Sequence, residues 1–197
     1  MKQVLSNFVF SVFKHDNMED IKSLVKEFFG NKIAINKATI IEDAFDINDY
    51  IDSFRGNTNN ELFSFWKTSE YPDFIFFTSN YGDGRFTLCN VIHQRLKCNY
   101  IQCTLRDGND VIAPAYFFHY ANEKFEERDI LVYKESKWVF YEKGHCLPFE
   151  DVGLYKKRRI NKRLNCEIII KYLHKYGIVF DKIDSNITES FTYSSYN

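Results

Sequence analysis

Glycine and proline are scarce in this sequence, at 8 and 3 of 197 residues, which excludes a disordered chain or a long flexible linker. No apolar run approaches the roughly 18 residues that a membrane-spanning helix needs. The opening stretch MKQVLSNFVFSVFKHDN is apolar, but Ser6, Asn7 and Ser11 interrupt it and no small-residue cleavage site follows. It reads as a buried strand or helix, not a signal peptide. The last residues form no lipidation box. The five cysteines (Cys89, Cys98, Cys103, Cys146 and Cys166) are odd in number and include no Cys-x-x-Cys. Reduced thiols and a cytoplasmic location are the expectation. Gly-x-Ser-x-Gly elbows, catalytic-cysteine signatures and Gly-rich phosphate loops are all missing.

Aromatics are abundant, with 20 Phe and 13 Tyr, so the chain can bury a sizeable core. The length suits a single globular domain spanning 1–197. Asn17 followed by MEDIKSLVKEFF predicts an amphipathic helix over about 18–29, with Glu19 and Asp20 in its first turn and Gly30 after its end. KIAINKATII reads as a strand and EDAFDINDYIDSFRGN as a second short helix, closing an N-terminal portion, 1–60. From 61 to 153 short strand-like runs alternate with turn signals: PDFIFFTSN, RFTLCNVIH, NYIQCTLR, VIAPAYFFHYA, RDILVYKE and KWVFYEK. Gly82-Asp83-Gly84, Asp107-Gly108 and Ser136-Lys137 are the turn candidates, and Pro114 marks a strand start or an edge. Over 159–176, Ile160, Leu164, Ile168, Ile169, Tyr172 and Leu173 share one helical face, and Gly177 supplies the stop. IVFDKI reads as a last strand and SNITESFTYSSYN as a polar, fraying tail. The expected fold is α+β: small N-terminal helices, a central antiparallel sheet of about six strands, and a long C-terminal helix packed on it.

The residues able to carry chemistry do not form recognised patterns. His93, Cys98, Cys103, His119, His145 and Cys146 lack the spacing of zinc ligands, so no metal and no other cofactor is expected. SNYGDGRF is a hairpin-like turn, not a nucleotide loop. A small hydrolase or nuclease could be built on His119 or His93 with Glu123, Glu126 or Glu135, although a chain with 5 His and 27 acids offers such pairs by chance.

Charge patterning is more informative. The net charge is only −1, yet the cations crowd toward the C-terminal third. Glu42, Asp43, Asp46, Asp49 and Asp52 form an acidic segment with no base, and four of them recur at every third residue, an acidic stripe if the segment is helical. Such a stripe is either a solvated face or a docking surface for a basic partner, with Tyr50 as an aromatic anchor or as rim of the core. Glu123, Glu126, Glu127 and Asp129 form a second acidic cluster in a loop between strands. Lys156, Lys157, Arg158, Arg159, Lys162 and Arg163 form a basic run at the start of the expected helix, where the dipole disfavours cations. It suits a nucleic-acid-associated accessory protein. Against that, stacking aromatics are not interleaved, the pI is near 6.5, and the cations could pair with the chain's own acids.

The run from RDILVYKESKWVFY to INKRLNCEIIIKYLHKYG, in a chain rich in Asn, Lys, Ile and Phe with acidic surface segments, resembles the immunity proteins of bacterial contact-dependent growth inhibition and related polymorphic toxin systems. The likeness is one of texture over the whole chain; no signature motif carries it, and no residue role transfers by position. It implies a non-enzymatic inhibitor that binds a toxin domain, often a basic nuclease, inside the producing cell. The expected partner is therefore a protein, with no membrane, nucleic acid or small-molecule substrate.

Overall fold

The opening apolar stretch becomes a strand at the centre of a sheet. In a computed structural model, which describes residues 7–51, 60–109 and 112–196, strand β1 spans Asn7–Phe13 and is buried along its whole length. Such a strand needs apolar cover on both faces, and β1 has it: Phe8, Phe10 and Val12 join one core, Phe13 the other. The remaining strands are β2 (Ala38–Glu42), β3 (Asn60–Thr68), β4 (Ile75–Ser79), β5 (Tyr100–Arg106), β6 (Ala115–Ala121), β7 (Glu127–Lys134), β8 (Trp138–Lys143) and β9 (Ile187–Tyr196). They form one nine-stranded sheet in the order β2-β9-β3-β4-β1-β5-β6-β7-β8, with every neighbour antiparallel.

Helices α1 (Met18–Ala34) and α2 (Phe86–Leu96) cover part of one face, over Phe63, Phe65, Ile75, Phe77, Tyr100, Phe191 and Tyr193. Helix α3 (Cys166–Tyr176), with the irregular segments around it, covers the other face over Trp66, Phe76, Ile101, Cys103, Phe118 and Ile130. Burial of this many large side chains, at about 25 cal/mol per Å², is what holds the sheet between its two layers. Polar ties fix the register of the layers. Glu61, buried on β3, receives Arg85 from the entry to α2, Lys32 from α1 and the Ser195 hydroxyl from β9. The Trp66 indole N–H donates to the Ile183 carbonyl at 2.5 Å across the other layer.

The expected α+β arrangement of six strands and a long terminal helix is thus overturned: the chain is mostly sheet, with nine strands and three α-helices among the described residues. RFTLCNVIH is helix α2, not a strand, because Asn90 breaks the alternation while Leu88, Cys89, Ile92 and His93 fall on one buried helical stripe. KIAINKATII divides between the end of α1 and β2; Gly30 remains helical, and the turn comes at Asn36, whose φ is +55°. EDAFDINDYI is not an α-helix. Asp43 takes φ +52° directly after β2, and Asp46 caps a single 3-10 turn, Ile47–Asp49, by accepting from the Asn48 N–H.

The C-terminal helix begins at Cys166, seven residues later than Arg159, and is capped by Asn165, whose carboxamide accepts from the Ile168 N–H. The dipole explains the delay: the chain places its cations in two 3-10 turns before the helix and Glu167 in its first turn. IVFDKI holds another 3-10 turn. The polar tail is β9, inserted between β2 and β3. Thr, Phe and Tyr favour strands, and the Ser and Thr hydroxyls find buried partners there: Tyr50, Ser64 and Thr192 are linked in series at 2.5 and 2.6 Å.

Candidate protein-binding surface

The histidines that chemistry would need are packed away from solvent. Each is 1% exposed. His119, on β6, faces Asp129 across the β6–β7 ladder, and its Nδ1–H donates to the Asp129 carboxylate at 2.6 Å. Its ring lies among Phe86, Tyr100 and Phe117. His93, on α2, donates through Nδ1 to the Cys98 carbonyl at 2.6 Å, and burial holds its pKa below the ordinary imidazole value. Burial likewise pushes the Cys98 thiol up to about 11 and the Cys89 thiol up to about 12, which keeps both as protonated core groups at neutral pH. His119 and His93 are neighbours across the α2–sheet contact, but none of Glu123, Glu126 and Glu135 bonds to either ring. Among the described residues no three His, Cys, Asp or Glu side chains gather as metal ligands.

The acidic segment is divided among local tasks. Glu42 pairs with Lys22 at 3.0 Å, and Asp46 caps its turn. Asp43 takes a positive φ after β2 and Asp49 ends the single 3-10 turn, so no helical stripe forms; Asp52 lies outside the described residues. Tyr50 is 2% exposed, with its hydroxyl in the Ser64–Thr192 series, and is therefore a core residue and no accessible anchor.

The second acidic cluster is organised quite differently. Glu123 and Glu126 lie in the tight β6–β7 connection, and Glu127 and Asp129 lie on β7 itself. The connection is fastened by several hydrogen bonds. The Asn122 carboxamide oxygen accepts from the N–H of Lys124 and of Glu126, the Phe125 N–H donates to the Asn122 carbonyl, and the Glu123 N–H donates to the Asn99 side chain. Closing the loop forces one residue into the left-handed region, and that residue is Phe125, at φ +64°. A bulky side chain there is an outlier that costs about 1–2 kcal/mol. Phe125 is 48% exposed, its ring touches His93 edge-on at 5.4 Å, and Glu123, Glu126 and Glu127 flank it in sequence. Beneath the loop a cavity of about 260 Å³ is lined by Tyr120, Glu126, Glu127, Arg128, Cys146 and Leu147 among others.

A buried ion network makes this end of the sheet rigid. Arg128 is 2% exposed and the Glu150 side chain is fully enclosed, and they meet through paired N–H···O contacts of 2.7 to 3.2 Å. Glu142 and the carbonyls of Lys143 and Gly144 take the remaining guanidinium donors, while Tyr155 Oη and the Leu147 N–H complete the Glu150 shell.

On the same face as Phe125, the sheet continues past α2 as an open shelf. Phe86, Thr104, Arg106, Ala115, Phe117 and Leu131 line a shallow depression of about 330 Å³ there. Tyr141, opposite Leu131 on the edge strand β8, is 50% exposed. Carboxylates of Glu127 and Asp129 lie between the tip and the shelf. The first is bound by Lys143 at 3.0 Å, the second by His119. The surface thus joins an aromatic projection, an acidic rim and an apolar shelf, the composition of a protein interface.

The basic run lies elsewhere, next to Pro114 and Trp138 at the far end of β6 and β8. Arg163 is spent internally, donating to the Lys157 carbonyl and lying over the Phe140 ring. Lys156, Lys157, Arg158, Arg159 and Lys162 are exposed.

The acids of residues 123–129 were legible in the sequence as a cluster, but Phe125 was not singled out. The signal is there: ANEKFEER joins two strands with no glycine, so a residue with a side chain must take the positive φ. No protein-family model matches the chain, and no curated protein or solved structure is significantly similar to it.

Proposed function

We propose that this chain is a non-enzymatic inhibitor that binds and neutralises a cognate toxin domain in the cytoplasm, with the β6–β7 tip and the adjoining shelf as its docking surface. The observation that carries the reading is Phe125: a half-exposed aromatic ring kept at a strained backbone angle by six local hydrogen bonds, in a loop that also carries Glu123 and Glu126. Strain retained at an exposed position is a mark of function. Pre-organisation removes the ordering cost of binding, the ring supplies an anchor, and the acids accelerate encounter with a basic partner. The acidic segment 42–49 has a smaller part in this reading than the residues at the tip.

The test begins with capture on the tagged protein from its native host. The partner is then purified and titrated at 50 and 300 mM salt, and assayed for toxicity with and without this chain. One stoichiometric partner that is lethal alone, harmless in the presence of the chain, and bound less tightly at higher salt is the expected result. A partner whose toxicity is unaffected refutes the inhibitor reading.

A further inference from the structure

The basic run, with six cations in eight residues, is left over by that function. The turns before α3 place Lys156, Lys157, Arg158, Arg159 and Lys162 in solvent, and none lies within 4.0 Å of a carboxylate among the described residues. Among the described residues no acid pairs directly with them, although Asp107 and Glu167 line a depression shared with Lys162. Nor do the cations stand alone. A groove of about 420 Å³ runs along α3 beside them, with Lys157, Lys162, Lys171, His174 and Lys175 on its walls and only Asp151 and Glu167 to offset them. Asp151 is partly engaged, since its carboxylate accepts from the Gly153 N–H.

We infer that this ledge is a second, independent binding surface, and that its ligand is the phosphate backbone of a nucleic acid, bound without regard to sequence. Three features select that class. Protein interfaces concentrate aromatic anchors and deplete lysine at their centre. Here lysines dominate, and the one aromatic lining the groove, Tyr172, is 1% exposed. No exposed Phe, Tyr or Trp lines the groove, and His174 is its one solvent-open ring, so contacts to phosphate outweigh base stacking. Finally, a near-neutral whole chain does not weaken the Lys162 end of the ledge, although the far end of α3 comes close to the tip through the Tyr176–Tyr120 contact. The acidic tip is separated from Lys162 by the length of β6, seven residues or about 23 Å, and lies on the opposite face of the sheet. That is more than two screening lengths at physiological salt.

The test is fluorescence anisotropy of the full chain against a labelled 20-base-pair DNA duplex of arbitrary sequence, the matching RNA duplex, and polyglutamate of equal charge, between 50 and 200 mM salt. With about five phosphates neutralised, the slope of log affinity against log salt is expected near −4.5, a loss of roughly 500-fold over that range. The triple variant Lys157→Glu, Lys162→Glu, Lys171→Glu changes only exposed side chains. With its circular dichroism unchanged, it is expected to lose at least 100-fold in duplex affinity, while Phe125→Ala retains full affinity. No duplex binding at 50 mM salt overturns the inference, as does unchanged affinity in the triple variant. Polyglutamate binding as tightly as either duplex overturns it in favour of an acidic protein ligand.

Discussion

Replacing Phe125 with glycine separates folding from binding. Glycine takes φ +64° without penalty, so the substitution releases about 1 kcal/mol of backbone strain. Against this stands the loss of a ring that is only half buried. Full burial of Phe is worth about 1.5–3 kcal/mol, so half of it is about 1 kcal/mol, and the edge-on contact with His93 adds about 0.5 kcal/mol. The two sides nearly cancel. For a chain of this size, where 1 kcal/mol shifts Tm by about 2–4 °C, the variant is expected to melt within about 4 °C of the parent. Binding behaves differently, because an aromatic anchor at the centre of an interface is worth about 2 kcal/mol or more, a loss of at least 30-fold in affinity for the captured toxin. Thermal melts by circular dichroism and titration calorimetry read the two quantities on the same sample. A fall in Tm of 10 °C or more shows that Phe125 serves the fold, and an unchanged Kd removes it from the interface; either result refutes the argument from strain.

Two further outcomes follow from the buried polar groups. Arg128→Met leaves the enclosed Glu150 carboxylate with only Tyr155 and the Leu147 N–H as donors, and a broken buried pair costs about 3–5 kcal/mol, so Tm is expected to fall by roughly 10 °C in a thermal melt. His93 is held below its ordinary pKa by burial, so the unfolded chain binds more protons than the folded one as pH drops. The stability this protects is complete above the unfolded imidazole value, about 6.5, and is lost as pH falls below it. Chemical denaturation at pH 7.5 and 5.0 is expected to show a smaller pH dependence in His93→Gln than in the parent.

What the sequence made legible follows from how local each signal is. The start of α1 is written in three adjacent positions, Asn17, Glu19 and Asp20, and the structure uses them as a cap and a first turn. The meander β5 to β8 is equally local, each strand pairing with the next across a short connection. β9 could not be recognised in this way. Its ten residues are half serine and threonine, and they are stable in a strand only because Ser64, Tyr50 and Glu61, far away in sequence, meet their hydroxyls. Tyr50 was similarly ambiguous between anchor and core until that partner was in place. Charge was readable as clusters but not as employment. Glu42, Asp46 and Asp129 are occupied by Lys22, a backbone N–H and His119, whereas the lysines at 156, 157 and 162 have no such duty.

The position of β9 also dictates an order of assembly. β2 joins the sheet only through β9 among the described residues, although it leaves the ribosome long before it. Strands β3 to β8 and β1 can pair with one another as soon as residue 143 has emerged. One margin of β3 then remains an unsatisfied edge, with Phe63 and Phe65 at its side, until residues 187–196 arrive to fill it. Throughout that interval the nascent chain carries an open template for another strand. Pairing of β9 between β2 and β3 is what closes that edge.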